Sequence, residues 1–166
     1  MSRWSVRLRA READHRPALG AGASSTREFV IDDSVGYMIN RVARSFAQEL
    51  ADELQPRGVG IGQWPVLLFL WALDGLSQAE LARMVAIEPP TMVRTIDRMA
   101  RDGLVTREPD PADRRITRIY LTDRGRALRD VLVPRAVAVN EANLARLTKS
   151  EGQALHRLLA KLLEPR

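Results

Sequence analysis

Leu76-Ser77-Gln78-Ala79-Glu80-Leu81-Ala82 is the stretch whose reading decides the fold. Ser77 and Glu80 stand in S-x-x-E spacing, in which the hydroxyl accepts from the N–H three residues on and the carboxylate reaches back to the serine N–H. Leu76 and Leu81 flank that start as a hydrophobic staple. The spacing predicts a short helix from Gln78 to about Val85, with Ala86-Ile87-Glu88 left as a connector of turn length. Pro89-Pro90 then opens a second helix, since proline is tolerated in a first turn where its missing N–H would have had no partner. Met92, Ile96 and Met99 make one apolar stripe at helical spacing, and Thr91, Arg94, Thr95 and Arg98 fall largely off it. Gly103 ends this helix as a left-handed cap.

A short helix, a tight turn and a second helix with an arginine- and threonine-bearing outer face form a helix-turn-helix, whose second helix enters a DNA major groove. Leu104–Glu108 and Ile116–Leu121 read as β-prone runs joined by the turn-rich Pro109-Asp110-Pro111-Ala112-Asp113-Arg114-Arg115. Together they predict a β-hairpin with arginine near its tip, a wing behind the helix-turn-helix.

These pieces, in this order and spacing, resemble the winged-helix core of MarR/SlyA transcriptional regulators. The matching segments are Leu76–Ala82, Ile87–Met99, Gly103-Leu104-Val105 and Asp113-Arg114-Arg115 with Leu121-Thr122 behind. The D-x-R of Asp113 and Arg115, followed by a strand ending in Leu-Thr, is the most specific of them. The resemblance is sharp over Leu76–Gly125, looser from about Ser34 onward, and does not cover the first 30 or so residues.

The bulk numbers narrow the class. A chain of 166 residues that is 45% hydrophobic can bury one core. No apolar run approaches the 18 or so residues of a membrane span; the longest, Pro65–Leu73, is half that. With no cysteine, disulfides, thiolate metal sites and thiol redox sensing are excluded. The net charge of +5 is unevenly placed: Arg83 to Arg129 carries eleven arginines against seven acidic residues. Such a local excess is what attraction to phosphate requires. Arginine-rich composition alone would explain the scarcity of lysine, which occurs only at Lys149 and Lys161, but not that location.

The remaining chain frames this core. Residues 1–30 read as a basic extension with a Gly20–Ser25 linker: a flexible tail, a DNA-contacting arm, or a segment packing on a partner. Glu12 and Asp14 argue against a transit peptide. Asp32, Asp33 and Ser34 offer caps for a long helix to about Leu54, with an apolar stripe from Val35 through Met38, Ile39, Val42, Phe46 and Leu50. Ile61–Trp71 is apolar almost all round and predicts a buried helix with Pro65 in its first turn. After Thr122 a long helix begins, with Pro134 expected to kink or interrupt it. Thr148 and Glu151 form a second capping box before a leucine-rich last helix. The expected architecture is mainly α with a small β-hairpin wing: residues 31–56 and 123–166 as a helical dimerisation region, 57–122 as the DNA-binding domain.

On this reading Thr91, Arg94 and Thr95 contact bases or phosphates, and Pro90 a thymine methyl. Ser77 and Gln78 meet a phosphate at a helix N-terminus. Arg115, with Arg114, enters the minor groove, and Asp113 orients Arg115 by a charge-assisted bond. Arg98 and Arg101 read rather as a solvated face or as partners of Asp97 and Asp102. Both Trp64 and Trp71 read as core. The resemblance implies in addition a homodimer on a pseudo-palindromic operator, and a small aromatic or phenolic carboxylate effector with Trp64 as its wall and Tyr37 or Arg41 at its polar end. It implies a repressor in the bacterial cytoplasm, associated with the nucleoid. An effector-independent architectural or antisilencing DNA binder is the alternative. No metal, cofactor or catalysis is expected: there is no G-x-S-x-G, Walker loop or H-E-x-x-H, and His15 and His156 stand alone.

Overall fold

The computed structural model describes residues 29–164 together with Arg7–Leu8. The readings of a linker at residues 20–25 and of most of the basic extension lie outside the described residues. Contacts divide the chain into a first unit, Met1–Ser45, and a second, Phe46–Arg166.

In the first unit, strands β1 (Arg7–Leu8) and β2 (Phe29–Val30) pair antiparallel, and a 3-10 turn follows at Ile31–Asp33. Helix α1, Val35–Leu54, starts there. Of the three expected caps Ser34 serves, its hydroxyl accepting from the Tyr37 N–H at 3.3 Å. Val35, Met38, Ile39 and Val42 are all exposed on α1.

The second unit holds the core. Helix α1 ends at Leu54 as expected, and Gly58, at φ 72°, closes the 3-10 turn over Gln55–Arg57 that follows. Helix α2 spans Trp64–Ala72, later and shorter than the apolar run predicts. Ile61-Gly62-Gln63 form a turn instead, and Ile61 and Leu68 are exposed, so α2 is buried on one side rather than all round. Helix α3 (Gln78–Val85) carries the complete Ser77/Glu80 capping box. Helix α4 (Pro89–Arg101) buries Met92, Ile96 and Met99, and Gly103 beyond its end is left-handed at φ 68°.

The wing is a three-stranded sheet rather than a bare hairpin. Strand β3 (Leu76–Ser77) pairs antiparallel with β5 (Thr117–Leu121), which pairs with β4 (Val105–Pro109). β3 escapes sequence reading because two residues are too short to show alternation. Pro109 is tolerated because β4 is the edge strand. Leu76, Leu81, Ile96, Met99, Leu104, Ile119 and Leu121 meet in one core with Leu67 and Leu70 of α2.

Helix α5, Asp123–Leu144, begins at a Thr122 cap whose hydroxyl accepts from the Gly125 N–H at 3.0 Å. It continues through Pro134, so the interruption that was one of the two sequence expectations there does not occur. The carbonyl deprived of its donor belongs to Asp130, an exposed residue. Helix α6, Lys149–Leu163, starts at the Thr148/Glu151 capping box. Leu158, Leu159, Leu162 and Leu163 on it are exposed, as is His156.

Candidate nucleic-acid interface

The burial of Met92, Ile96 and Met99 decides which face of α4 looks outward. Pro90, Thr91 and Arg94 are exposed and Thr95 is half-buried. Arg94 Nη2 donates to Thr91 Oγ1 at 3.2 Å, and the Thr95 hydroxyl donates to the Thr91 carbonyl at 3.0 Å. The three expected reading residues therefore form one local set, with the guanidinium free to turn outward. The approach to α4 is set by Ala86, a non-glycine residue in the left-handed region at φ 58°. Its N–H bonds back to the carbonyls of Ala82 and Arg83, and this tightens the turn between α3 and α4.

Ser77 is buried. Its N–H and hydroxyl both donate to Glu80 Oε2 at 2.8 Å, and its oxygen accepts from the Glu80 N–H at 3.2 Å. These bonds hold the Glu80 carboxyl below its usual range, helped by the nearby charges of Arg118 and Arg83. Because the cap engages both polar groups of Ser77, Gln78 is the one of the pair left partly open to solvent.

At the wing tip, Asp113 and Arg115 pair as the D-x-R motif suggests. Arg115 Nε and Nη2 donate to the two carboxylate oxygens at 3.0 Å, and the Arg115 side chain is 91% exposed. That pairing lowers the Asp113 pKa and raises that of Arg115. Arg114 is exposed beside it. Gln78, Pro89, Val93, Arg115 and Ile116 line one open cleft bounded by α3, the start of α4 and the wing. Of the expected contact residues, Ser77, Gln78 and Arg115 line this cleft, while Pro90, Thr91 and Arg94 are exposed on α4 outside its lining.

Three fixing contacts went unread in the sequence. Asp110 is buried at the wing's base, where it accepts from the N–H groups of Ala112 and Asp113 at 2.7 and 3.0 Å and pairs with Arg118. Those backbone bonds and the Arg118 guanidinium depress its pKa. Arg118 Nη1 also donates to the Gly75 carbonyl at 2.8 Å, tying the wing to the entry of β3. Asp97, expected to partner Arg98 or Arg101, pairs instead with Arg107 of β4 at 2.5 Å, while Arg98 lies 3.8 Å from Asp102 as anticipated. Each link joins residues on different elements, for which spacing along the chain gives no signal; only the alternation of Arg118 within its strand hints at a common face.

Trp64 and Trp71 stack edge to face, centroids 5.6 Å apart, and both pack against the core. Trp71 Nε1 donates to the Gly125 carbonyl at 2.9 Å. Tyr37 and Arg41 are exposed residues of α1 in the first unit.

The family model described as MarR family matches residues 61–117, the span from the turn before α2 to the far side of the wing. The HTH-type transcriptional repressor NicR of Pseudomonas putida is 35% identical over 138 residues, covering 81% of this chain and 85% of NicR. The chain belongs to the MarR family. Its fold is that of solved MarR-type regulators. The transcriptional repressor CouR bound to a 23-mer DNA duplex superposes with a TM-score of 0.74 at 28% identity, over 81% of this chain and 95% of CouR. BpsR of Bordetella bronchiseptica, described with the regulation of its DNA binding by 6-hydroxynicotinic acid, gives 0.75 at 26% identity over 81% of this chain and 96% of BpsR. As a MarR-family member this chain is a transcriptional regulator of repressor type and not an enzyme. Among the described residues no helix is long and apolar enough to cross a membrane.

Proposed function

We propose that the chain acts as a homodimer that binds a pseudo-palindromic operator, with α4 in the major groove and the wing in the adjacent minor groove, and that a small aromatic carboxylate releases it. The observation that carries this reading is the convergence of α4 and the wing on one cleft, with Thr91 and Arg94 outward and Arg115 held by Asp113 yet almost wholly in solvent. A guanidinium so held suits a narrow A·T-rich minor groove, whose enhanced negative potential attracts it. Arg94 supplies the fork that pairs with guanine.

Support for the dimer comes from the exposed apolar residues of α1 (Val35, Met38, Val42) and of α6 (Leu158, Leu162, Leu163). Large apolar residues exposed at helical spacing on each of these helices support an association surface on each. A two-fold pair would set two recognition helices about 34–36 Å apart, one turn of the duplex. Support for an aromatic acid comes from BpsR and 6-hydroxynicotinic acid; Trp64, Tyr37 and Arg41 are the residues we assign to it. The ligand must favour the state that misfits DNA, because equal affinity for both states shifts nothing. The region 57–122 would then read DNA, 31–56 and 123–166 would dimerise, and the protein would work on the bacterial nucleoid.

A mobility-shift titration on the DNA upstream of the chain's own gene, with random-sequence competitor and with and without aromatic acids, tests this. Selective retention of the upstream fragment and its release by an aromatic acid are expected. Equal competition by random DNA would replace the reading with an effector-independent architectural role. Sedimentation of Leu158→Glu/Leu162→Glu is expected to give a monomer that no longer shifts the fragment.

A further inference from the structure

Gln63 is the last residue before α2 and is 3% exposed. A buried amide has to satisfy both ends, and this one does so on two separate segments. Its Oε1 accepts from the Gly60 N–H at 2.7 Å, and its Nε2 donates to Asp102 Oδ2 at 2.7 Å. Asp102 is the C-cap of α4, so the bond spans 39 residues to hold the far end of the DNA-reading helix. Two further contacts converge there: Arg98 lies 3.8 Å from Asp102 Oδ2, and Arg124 donates to the Asp102 carbonyl. No bonded side chain caps the other end of α4, where Glu88 is the N-cap. The angle of its outward residues, Thr91 and Arg94, is therefore set by the core stripe, the turn at Ala86, the Asp97–Arg107 pair and what fixes the C-terminal end.

We infer that Gln63 is a positioning residue for DNA recognition: through Asp102 it sets the pitch of α4 and so the depth at which Thr91 and Arg94 enter the groove. The inference rests on the proposed role of α4. Base contacts are short and directional, so a small tilt of the helix costs them first, while phosphate attraction tolerates it. The role is thus one of selectivity, not of general affinity for DNA.

The test is a double-substitution cycle with Gln63→Ala, Asp102→Ala and the pair, read as the ratio of operator to random-DNA affinity at one salt concentration, with thermal melting alongside. Each single substitution is expected to lower the ratio by about ten-fold, the scale of one hydrogen bond to a charged group, and the pair to lower it no further. Random-DNA affinity should stay within about two-fold. Asp102→Asn keeps an acceptor oxygen for Gln63 and is expected to retain the ratio. Asp102 is partly exposed, so its alanine variant reports even if the Gln63 variant loses its cooperative melt. Strict additivity, equal loss on operator and random DNA, or an Asp102→Asn variant as impaired as Asp102→Ala would overturn the inference. If the unsubstituted protein shows no operator preference at all, the proposed function fails; if it shows one that none of these variants alters, only the role of Gln63 fails.

Discussion

Arg115 donates through Nε and Nη2 to the two carboxylate oxygens of Asp113, 3.0 Å each, while its side chain stays almost entirely in solvent. So exposed an ion pair adds little to folding. Its effect lies in holding a guanidinium at the wing tip before DNA arrives. Arg115→Ala is expected to weaken operator binding by about 1–3 kcal/mol. Asp113→Ala should cost about 1 kcal/mol, the ordering of one long side chain. Arg115→Lys should behave like the alanine variant, because an ammonium cannot match the two-oxygen geometry. Anisotropy titrations on one operator duplex at fixed salt check all three, with melting temperatures expected to stay unchanged.

Ala86 sits at φ 58° between α3 and α4. A side chain in the left-handed region costs about 1–2 kcal/mol, and glycine gives back about 0.5–1 kcal/mol in chain entropy. Ala86→Gly should therefore raise unfolding stability by about 0.5–1 kcal/mol without altering operator affinity. Urea unfolding measures it; a lower midpoint would show that the turn is not strained.

Gly125 is closed in by the Leu104 carbonyl, which a Cβ at that position would meet, and Leu121 lies beside it. The obstacle is backbone, not the end of a flexible side chain, so α5 cannot keep its place against the wing once a methyl is added. Gly125→Ala is expected to destabilise the fold by about 3 kcal/mol or more, a large overpacking effect. A calorimetric melt close to that of the unsubstituted protein would contradict this packing.

The two capping boxes give acid stability a definite direction. Hydrogen bonds from Ser77 hold the Glu80 carboxyl below its usual range, and those from Thr148 do the same for Glu151. A carboxyl depressed in the folded state stabilises it above the unfolded value, and that contribution fades as pH falls through the folded one. Stability should thus be flat in the neutral range and decline below about pH 4. Glu80→Gln/Glu151→Gln should start lower at neutral pH and decline less steeply. An acid limb identical to that of the unsubstituted protein would sink this assignment.

Much of the fold was legible because its signals are local. Ser77 with Glu80 and Thr148 with Glu151 mark helix starts by spacing alone, and Met92, Ile96 and Met99 name the buried face of α4. Most of the candidate site was legible for the same reason: the outer face of a helix follows from its inner stripe, and Asp113 and Arg115 are two residues apart. Pairings across elements were not legible. Gln63 with Asp102, Asp97 with Arg107 and Asp110 with Arg118 depend on how helices and strands are brought together. The third strand was missed because Leu76–Ser77 is two residues long and already serves as a helix cap. That α5 runs on through Pro134 was not legible either, since proline in a helical pattern signals a kink as readily as an end.

Hydroxyl-radical footprinting on the operator tests the central claim most directly, since it reports the number and spacing of the contacted grooves together. The expected pattern is two related protections centred about 10–10.5 base pairs apart, with flanking minor-groove protections that vanish in Arg115→Ala. A single protected patch, or protection that does not distinguish the operator from flanking sequence, would contradict a two-fold reader built on α4 and the wing.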